Sequence, residues 1–312
     1  MHKNVTLLEH ISTKLWYRYP LTWKYLLNLG VLLKYKTMNP AKLPSQVVLS
    51  NGNIIHVNPS ENRSKAILLR DGVTQIKVND FWQRSVERFD PTLIIDVGVN
   101  YGECIFSANY AENARIWGIE ANPYLHRYIN QSLQLHTNKS QMTIVNAFAS
   151  DQDAEVQSFN IDMNWSGTSS AVDLMNHNHI EHVEIPTITI DSLLRHISLD
   201  GQRLLFKIDV EGYESFVLKG METCVTSCDQ VLGIIEFDTV YLKKTGIDLN
   251  AFITSLETYF KVYIFLNERN VKKVDHYSYD WLRQFFGTDE FHADFILTSK
   301  EHQLISLLYP TS

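Results

Sequence analysis

The sequence predicts an α/β fold, a doubly wound, mostly parallel sheet behind an N-terminal helical and β-hairpin extension. Two observations carry this. "TLIIDVG" from residue 92 and "RLLFKID" from residue 203 are apolar runs without polar alternation, the pattern of strands covered on both faces. Helical stretches such as "YLHRYINQSLQLH" separate these runs, and such alternation implies parallel strands joined by crossover helices. The 312 residues suit one large domain with additions.

Residues 1–40 read as a helical extension that ends near the prolines of "MNPAKLP". Residues 41–90 form a lead-in. "SQVVLSNGNIIHVNP" predicts a hairpin with a type I′ turn at Asn51-Gly52, followed by short strands and a helix. The main domain spans 91–300, with a tail at 301–312. Its expected strands are "TLIIDVG", "ARIWGIEANP", "QMTIVNAFAS", "RLLFKID", "QVLGIIEF", "KVYIFLN" and "HADFILTS". "GECIFSANYA" is expected to be the first crossover helix. Residues 151–190 interrupt the rhythm with two β additions, "DAEVQSFNI" and "HVEIPTITI", around a polar loop.

A net charge of -7 argues against a general nucleic-acid binder. Cys104, Cys224 and Cys228 make no disulfide framework and lack the partners for a zinc set, so they read as structural thiols of a reducing compartment. The start shows no secretory signal, and nothing approaches a membrane span, so a cytoplasmic location is expected. The first forty residues carry Lys3, Lys14, Arg18, Lys24, Lys34 and Lys36 against Glu9 alone, interleaved with Trp16, Tyr17, Tyr19, Trp23 and Tyr25. The expected outcome is a helix packed on the main domain. The alternative is a segment that docks on a membrane surface or a partner.

"IIDVGVNYGE" places Asp96, Gly98, Asn100 and Gly102 between the first strand and its crossover. Glycine there lets the backbone turn tightly and approach a ligand. The spacing is Gly-x-x-x-Gly, unlike the fingerprint of dinucleotide enzymes. Glu120 ends the second strand, where a carboxylate can accept both hydroxyls of a ribose. Asn122 follows it in "GIEANP" and is counted with the cofactor-binding residues. This set fits S-adenosylmethionine better than NAD. Asn146 and Ala147 end the third strand and are expected along the adenine, with Ser150 and Asp151 behind; Asp151 alternatively caps a turn.

These stretches, together with "VNAFASD" and above all "FKIDVEGYESFVLKG", resemble the FkbM family of S-adenosylmethionine-dependent methyltransferases over roughly residues 92–240. The resemblance implies a Rossmann-like class I sheet of seven strands whose last hairpin is antiparallel. It also implies O-methylation, commonly of a sugar hydroxyl, and so a small-molecule or glycan partner. Val99 departs from the alanine many relatives carry, which is expected to alter packing under the loop.

Asp209 and Glu211 end the strand "LLFKI", where an open parallel sheet binds its ligands. Either is a candidate base for the acceptor hydroxyl, with Lys207 an orienting partner. No metal is assigned. The cation alternative is Asp209 and Glu211 with Glu236 of the next strand, Asp238 close behind; such a set suits Mg²⁺ or Ca²⁺ over zinc. Against a catalytic role, Glu211 or Glu214 can cap the helix near Tyr213. "NWSGTSS", 164–170, is a second candidate for sugar binding, and His177, His179 and His182 read as exposed loop residues. Acceptor choice is expected in 151–190 and in "DHYSYDWLRQFFGTDEF". The competing functions are methylation of a small natural product or lipid-linked intermediate, and a binding subunit that keeps the fold without catalysis.

Overall fold

The computed structural model describes residues 20–172, 180–299 and 304–309. Most of the basic, aromatic N-terminus (residues 1–19), His177, His179 and part of the expected tail lie outside the described residues. Helix α1, Pro20–Tyr35, buries Leu27 and Val31, one turn apart. Its last turn is fixed by Lys34 Nζ and the Tyr35 hydroxyl, which donate to the Leu68 carbonyl at 2.9 and 2.8 Å. The opposite face leaves Tyr25, Leu26, Leu29, Leu32 and Leu33 exposed.

Strands β1, Gln46–Val48, and β2, Ile54–His56, form the expected hairpin, antiparallel with Val48 opposite Ile54. Its turn is not type I′. Gly52 has φ of +85°, but Asn51 is outside the left-handed region that a type I′ turn requires. Instead the Asn51 and Asn53 side-chain amides both donate to the Phe106 carbonyl, which anchors the loop to the main domain. Beyond it lie α2, Asn62–Leu69, and α3, Ile76–Phe89; the expected helix is present, and the expected short strands are not formed. In α3, Val78, Phe81, Trp82, Ser85 and Phe89 are buried at helical spacing, a period that serves a helix and not a strand.

The main sheet begins with β3, Leu93–Val97, and β4, Arg115–Glu120; α4, His126–Leu135, leads to β5, Met142–Asn146. A smaller sheet holds β6, Phe148–Ala149, β7, Val156–Asp162, and β8, Ile180–Ile188, in the order β6-β8-β7. After α5, Ile190–Leu193, comes β9, Arg203–Ile208, and then α6, Glu214–Lys219, and α7, Glu222–Ser227. The chain continues through β10, Gln230–Asp238, α8, Thr239–Lys244, and α9, Leu249–Tyr259. It closes with β11, Phe260–Phe265, β12, Val271–Lys273, α10, Tyr279–Phe286, β13, His292–Ser299, and α11, Ile305–Leu308.

The order in the main sheet is β12-β11-β13-β10-β9-β3-β4-β5. The seven expected strands are present, and β12 adds an eighth at the edge. β13 runs antiparallel to both β10 and β11, while β5, β4, β3, β9 and β10 are mutually parallel. Neighbouring residues face opposite cores: Ile94 and Leu205 join Trp82 and Phe106 on one side, Ile95 and Phe206 join Phe237 and Phe295 on the other. Strand order reverses between β3 and β9, the crevice where such sheets bind ligands.

The expected crossover helix at "GECIFSANYA" is not formed; residues 101–107 make successive turns. Side chains take the carbonyls a helix would use. Asn79 donates to the Glu103 carbonyl, the Tyr110 hydroxyl to Ile105, and Gln83 to Ser107. With Asn51 and Asn53 on Phe106, tertiary hydrogen bonds substitute for the helical ladder.

Candidate active site

The loop after β3 is shaped by close backbone contact. Gly98 has φ of +80°, and a Cβ there would lie 1.9 Å from the Asp209 carbonyl oxygen, so only glycine lets the β3 and β9 ends meet. Asn100, also left-handed at φ of 52°, turns its backbone amide onto Glu120 Oε2 at 2.6 Å. The Asn122 amide takes Oε1 at 2.8 Å. Burial pushes the Glu120 carboxyl up to about 7, against the lowering effect of these two amides. Each oxygen keeps a second lone pair for a hydroxyl donor. Val99 fits beneath because residue 118 is glycine: a Cβ there would stand 2.8 Å from Val99 Cγ2.

A cavity opens over this loop, floored by Gly98, Asn100 and Glu120 and walled by Ile119, Ala147, Phe148, Ala149 and Phe159. Asp209 and Glu211 reach it from the end of β9. Behind Asp209, Lys207 Nζ donates to the Gly98 carbonyl at 3.0 Å and lies 3.4 Å from Asp96 and 3.3 Å from Asp209 Oδ2. Burial alone would raise Asp209, but the Lys207 ammonium, the Arg63 guanidinium and a hydrogen bond from Gln75 outweigh it and hold the carboxyl low. For Asp96 burial wins over Lys207, and its carboxyl is raised.

Glu211 sits at φ of 51°, a conformation unfavourable by about 1–2 kcal/mol for a side chain of this kind. Its neighbours enforce it. The Glu214 carboxylate accepts the amides of Val210 and Gly212, and the Ser170 hydroxyl donates to the Glu211 carbonyl at 2.7 Å. Glu214 thus closes the loop from the first turn of α6, which leaves the Glu211 carboxylate to the cavity. Burial and then the nearby Glu236 and Asp209 carboxylates raise Glu211 well above its ordinary range. Asp209, Glu211 and Glu236 each offer an oxygen within 4.8 Å of the others. Asp238 caps α8 through Oδ1, accepting the amides of Val240 and Tyr241, while its Oδ2 lies 3.4 Å from His292 Nδ1.

The loop flagged at 164–170 borders the cavity through Ser166, Gly167 and Ser169. Its Trp165 lies under the Arg63 guanidinium at 5.9 Å. Asn146 is just outside, its side chain donating to the carbonyls of Glu120 and Ala121. Gly102 and Asp151 are not brought to the cavity. Gly102, at φ of +89°, turns the chain against Phe106, and Asp151 pairs with Lys219 at 2.6 Å. His182 lies in β8 against Asn160, and no residue of 275–291 borders the cavity. Cys104, Cys224 and Cys228 are buried free thiols.

Sequence reasoning missed Arg63 and Gln75, which reach the cavity from α2 and from the residue before α3. Arg63 pairs with Glu103 of the glycine loop, and Gln75 Nε2 is 3.4 Å from Asp209 Oδ2. Neither stands in a motif; only the fold carries the lead-in helices over the carboxyl ends of β3 and β9.

A profile of the methyltransferase FkbM domain matches residues 96–270, more than half of the chain. The chain therefore belongs to the FkbM family and is an S-adenosylmethionine-dependent methyltransferase. Comparison with curated proteins found no match. Among solved structures, an O-methyltransferase from Bacillus cereus in complex with SAH is similar at 10% identity and a TM-score of 0.39, over 73% of this chain and 81% of that one. A precorrin-6y C5,15-methyltransferase from Geobacter metallireducens is similar at 12% identity and a TM-score of 0.37, over 73% and 90%. No helix among the described residues is long and apolar enough to cross a membrane.

Proposed function

We propose that the protein methylates a hydroxyl group of a sugar or glycan. The carrying observation is the meeting of Asp209 and Glu211 with the glycine loop and Glu120 around one cavity. The residues fit the cofactor: Gly98 lets the loop close against the Asp209 backbone at the cavity floor, Glu120 presents its carboxylate to a ribose, and Ala147 to Ala149 offer an apolar wall to a base. S-adenosylmethionine supplies a methyl group on a sulfonium that leaves as a neutral thioether.

The chain's own task is alignment and proton removal. Asp209, kept ionised by Lys207, accepts the hydrogen bond of the acceptor hydroxyl and orients it. Glu211, whose carboxylate borders the cavity and whose proton affinity is raised, is the group placed to receive the hydroxyl proton after its own proton has passed to solvent. Ser166 and Ser169 add hydroxyls suited to the remaining polar edge of a sugar. The test is transfer of a labelled methyl group to a panel of sugars and glycans. Glu211→Gln is expected to lower turnover by about 10² to 10⁴-fold, and Asp209→Asn to lower it through lost alignment, with cofactor binding retained in both. Full activity in either variant contradicts the assignment.

A second reading narrows the acceptor to a lipid-linked one, favoured by the exposed face of α1. A 16-residue helix apolar on both faces wants cover on both. Tyr25, Leu26, Leu29, Leu32 and Leu33 form the uncovered side, and the exposed Lys24 and Lys36 complement an anionic bilayer surface. Co-sedimentation with phosphatidylglycerol vesicles, lost in Leu29→Glu/Leu33→Glu, is the expected result. No binding to vesicles removes this reading.

A further inference from the structure

We propose that Asp209, Glu211 and Glu236 form a binding site for one hard divalent cation, of the Mg²⁺, Mn²⁺ or Ca²⁺ class. Three acids alone would not make such a site. The second observation is at Glu236, which is 7% exposed and whose Oε2 has no hydrogen-bond partner among the described residues. Burying an unpaired carboxylate oxygen is costly, and a bound cation is one of the few ways to offset that cost.

The partners that do exist leave the right atoms free. Lys207 and Gln75 both approach Oδ2 of Asp209, so Oδ1 receives no donor among the described residues. His292 Nδ1 stands 3.4 Å from Glu236 Oε1 and 3.4 Å from Asp238 Oδ2. It holds Glu236 by one oxygen and leaves the other, an outer-shell arrangement of the kind that orients metal-binding carboxylates. No described residue donates to the Glu211 side chain, although Glu214 and Ser170 together hold its backbone in the left-handed region. The loop is thus fixed while the carboxylate is not.

Spacing and chemistry agree. Two oxygens each about 2.3 to 2.6 Å from one Ca²⁺ lie up to about 5 Å apart, so three within 4.8 Å of one another can share the ion after a small closing of their side chains. Mg²⁺, at about 2.1 Å, needs a slightly greater closing. All three donors are oxygen, which excludes the soft-ligand metals as natural occupants. The site borders the cavity through Asp209 and Glu211. Its role rests on the methyltransferase reading: a cation there would lower the pKa of an acceptor hydroxyl.

The test is titration of the purified full chain with Mn²⁺ alone, followed by loss of the free-ion electron paramagnetic resonance signal. One ion per chain is expected, with affinity reduced at least about tenfold in both Glu236→Gln and Glu211→Gln. Two variants are used so that a folding defect in either does not decide the matter. No uptake at millimolar Mn²⁺, or uptake unchanged in both variants, overturns the proposal. S-adenosylhomocysteine is titrated into the same samples. Cofactor binding without Mn²⁺ uptake overturns the cation site and leaves the methyltransferase reading standing. Specific Mn²⁺ uptake without cofactor binding supports the site and counts against that reading.

Discussion

Lys207 ties Asp209 to the body of the sheet: its ammonium stands 3.3 Å from Asp209 Oδ2, and both residues belong to the β9 end. The same ammonium reaches Asp96 on β3 and the carbonyl of Gly98, so one cation joins the acid at the cavity to the cofactor loop. Replacing it with Lys207→Met leaves two carboxylates without their cation. The variant is expected to lose about 3–5 kcal/mol of stability, read by urea denaturation. A loss under about 1 kcal/mol would mean that the pairing is incidental.

Gly98 is predicted to be irreplaceable. Gly98→Ala meets the Asp209 carbonyl oxygen and places a side chain at φ of +80°. The conformational strain alone is about 1–3 kcal/mol, and the loop must move away from β9. Cofactor affinity should fall with stability, whereas Gly52→Ala, where a Cβ meets nothing within 4 Å, should leave cofactor binding intact. Calorimetry and thermal melts of the two variants check this.

Cofactor binding should depend on pH through Glu120. Its carboxyl titrates at about 7 because burial favours the neutral form. The ionised form is the better acceptor for two hydroxyl donors, so affinity should rise as pH increases through about 7 and fall below it. Titrations of S-adenosylhomocysteine between pH 5.5 and 8.5 (about 1.5 units on either side) read the trend. Glu120→Gln should bind more weakly with the pH dependence gone. A wild-type affinity flat across this range contradicts the assignment.

Arg63 is predicted to act on the site rather than on the fold. It borders the cavity, pairs with Glu103 and helps hold Asp209 low. Arg63→Lys keeps the charge but not the planar fork, so turnover should fall more than cofactor affinity does. Equal loss of both would place Arg63 with the structural residues.

Much of this was legible because buried strands advertise themselves. "LIIDV", "RIWGIE" and "RLLFKI" are largely apolar runs, and their carboxyl ends locate Gly98, Glu120, Asp209 and Glu211 without a structure. What stayed hidden depended on tertiary hydrogen bonds. Nothing local in "GECIFSANYA" says that Asn51, Asn53, Asn79 and Gln83 will take its carbonyls and prevent a helix. The type I′ turn failed for the same reason, since Asn51 is spent on Phe106. Arg63 and Gln75 reach the cavity across long sequence separations and carry no spacing signal. Glu236 could be named from its strand end, but only the register of β10 with β13, which sets Asp238 opposite His292, explains why one of its oxygens is held and the other left.

The loop after β3 and Glu120 are predicted to bind S-adenosylmethionine. The most direct measurement is calorimetric titration of the wild-type chain with S-adenosylhomocysteine beside Glu120→Ala. Micromolar binding by the wild type, abolished in the variant, is the predicted result. A folded wild type that binds nothing, or a variant that binds as tightly as the wild type, would contradict it.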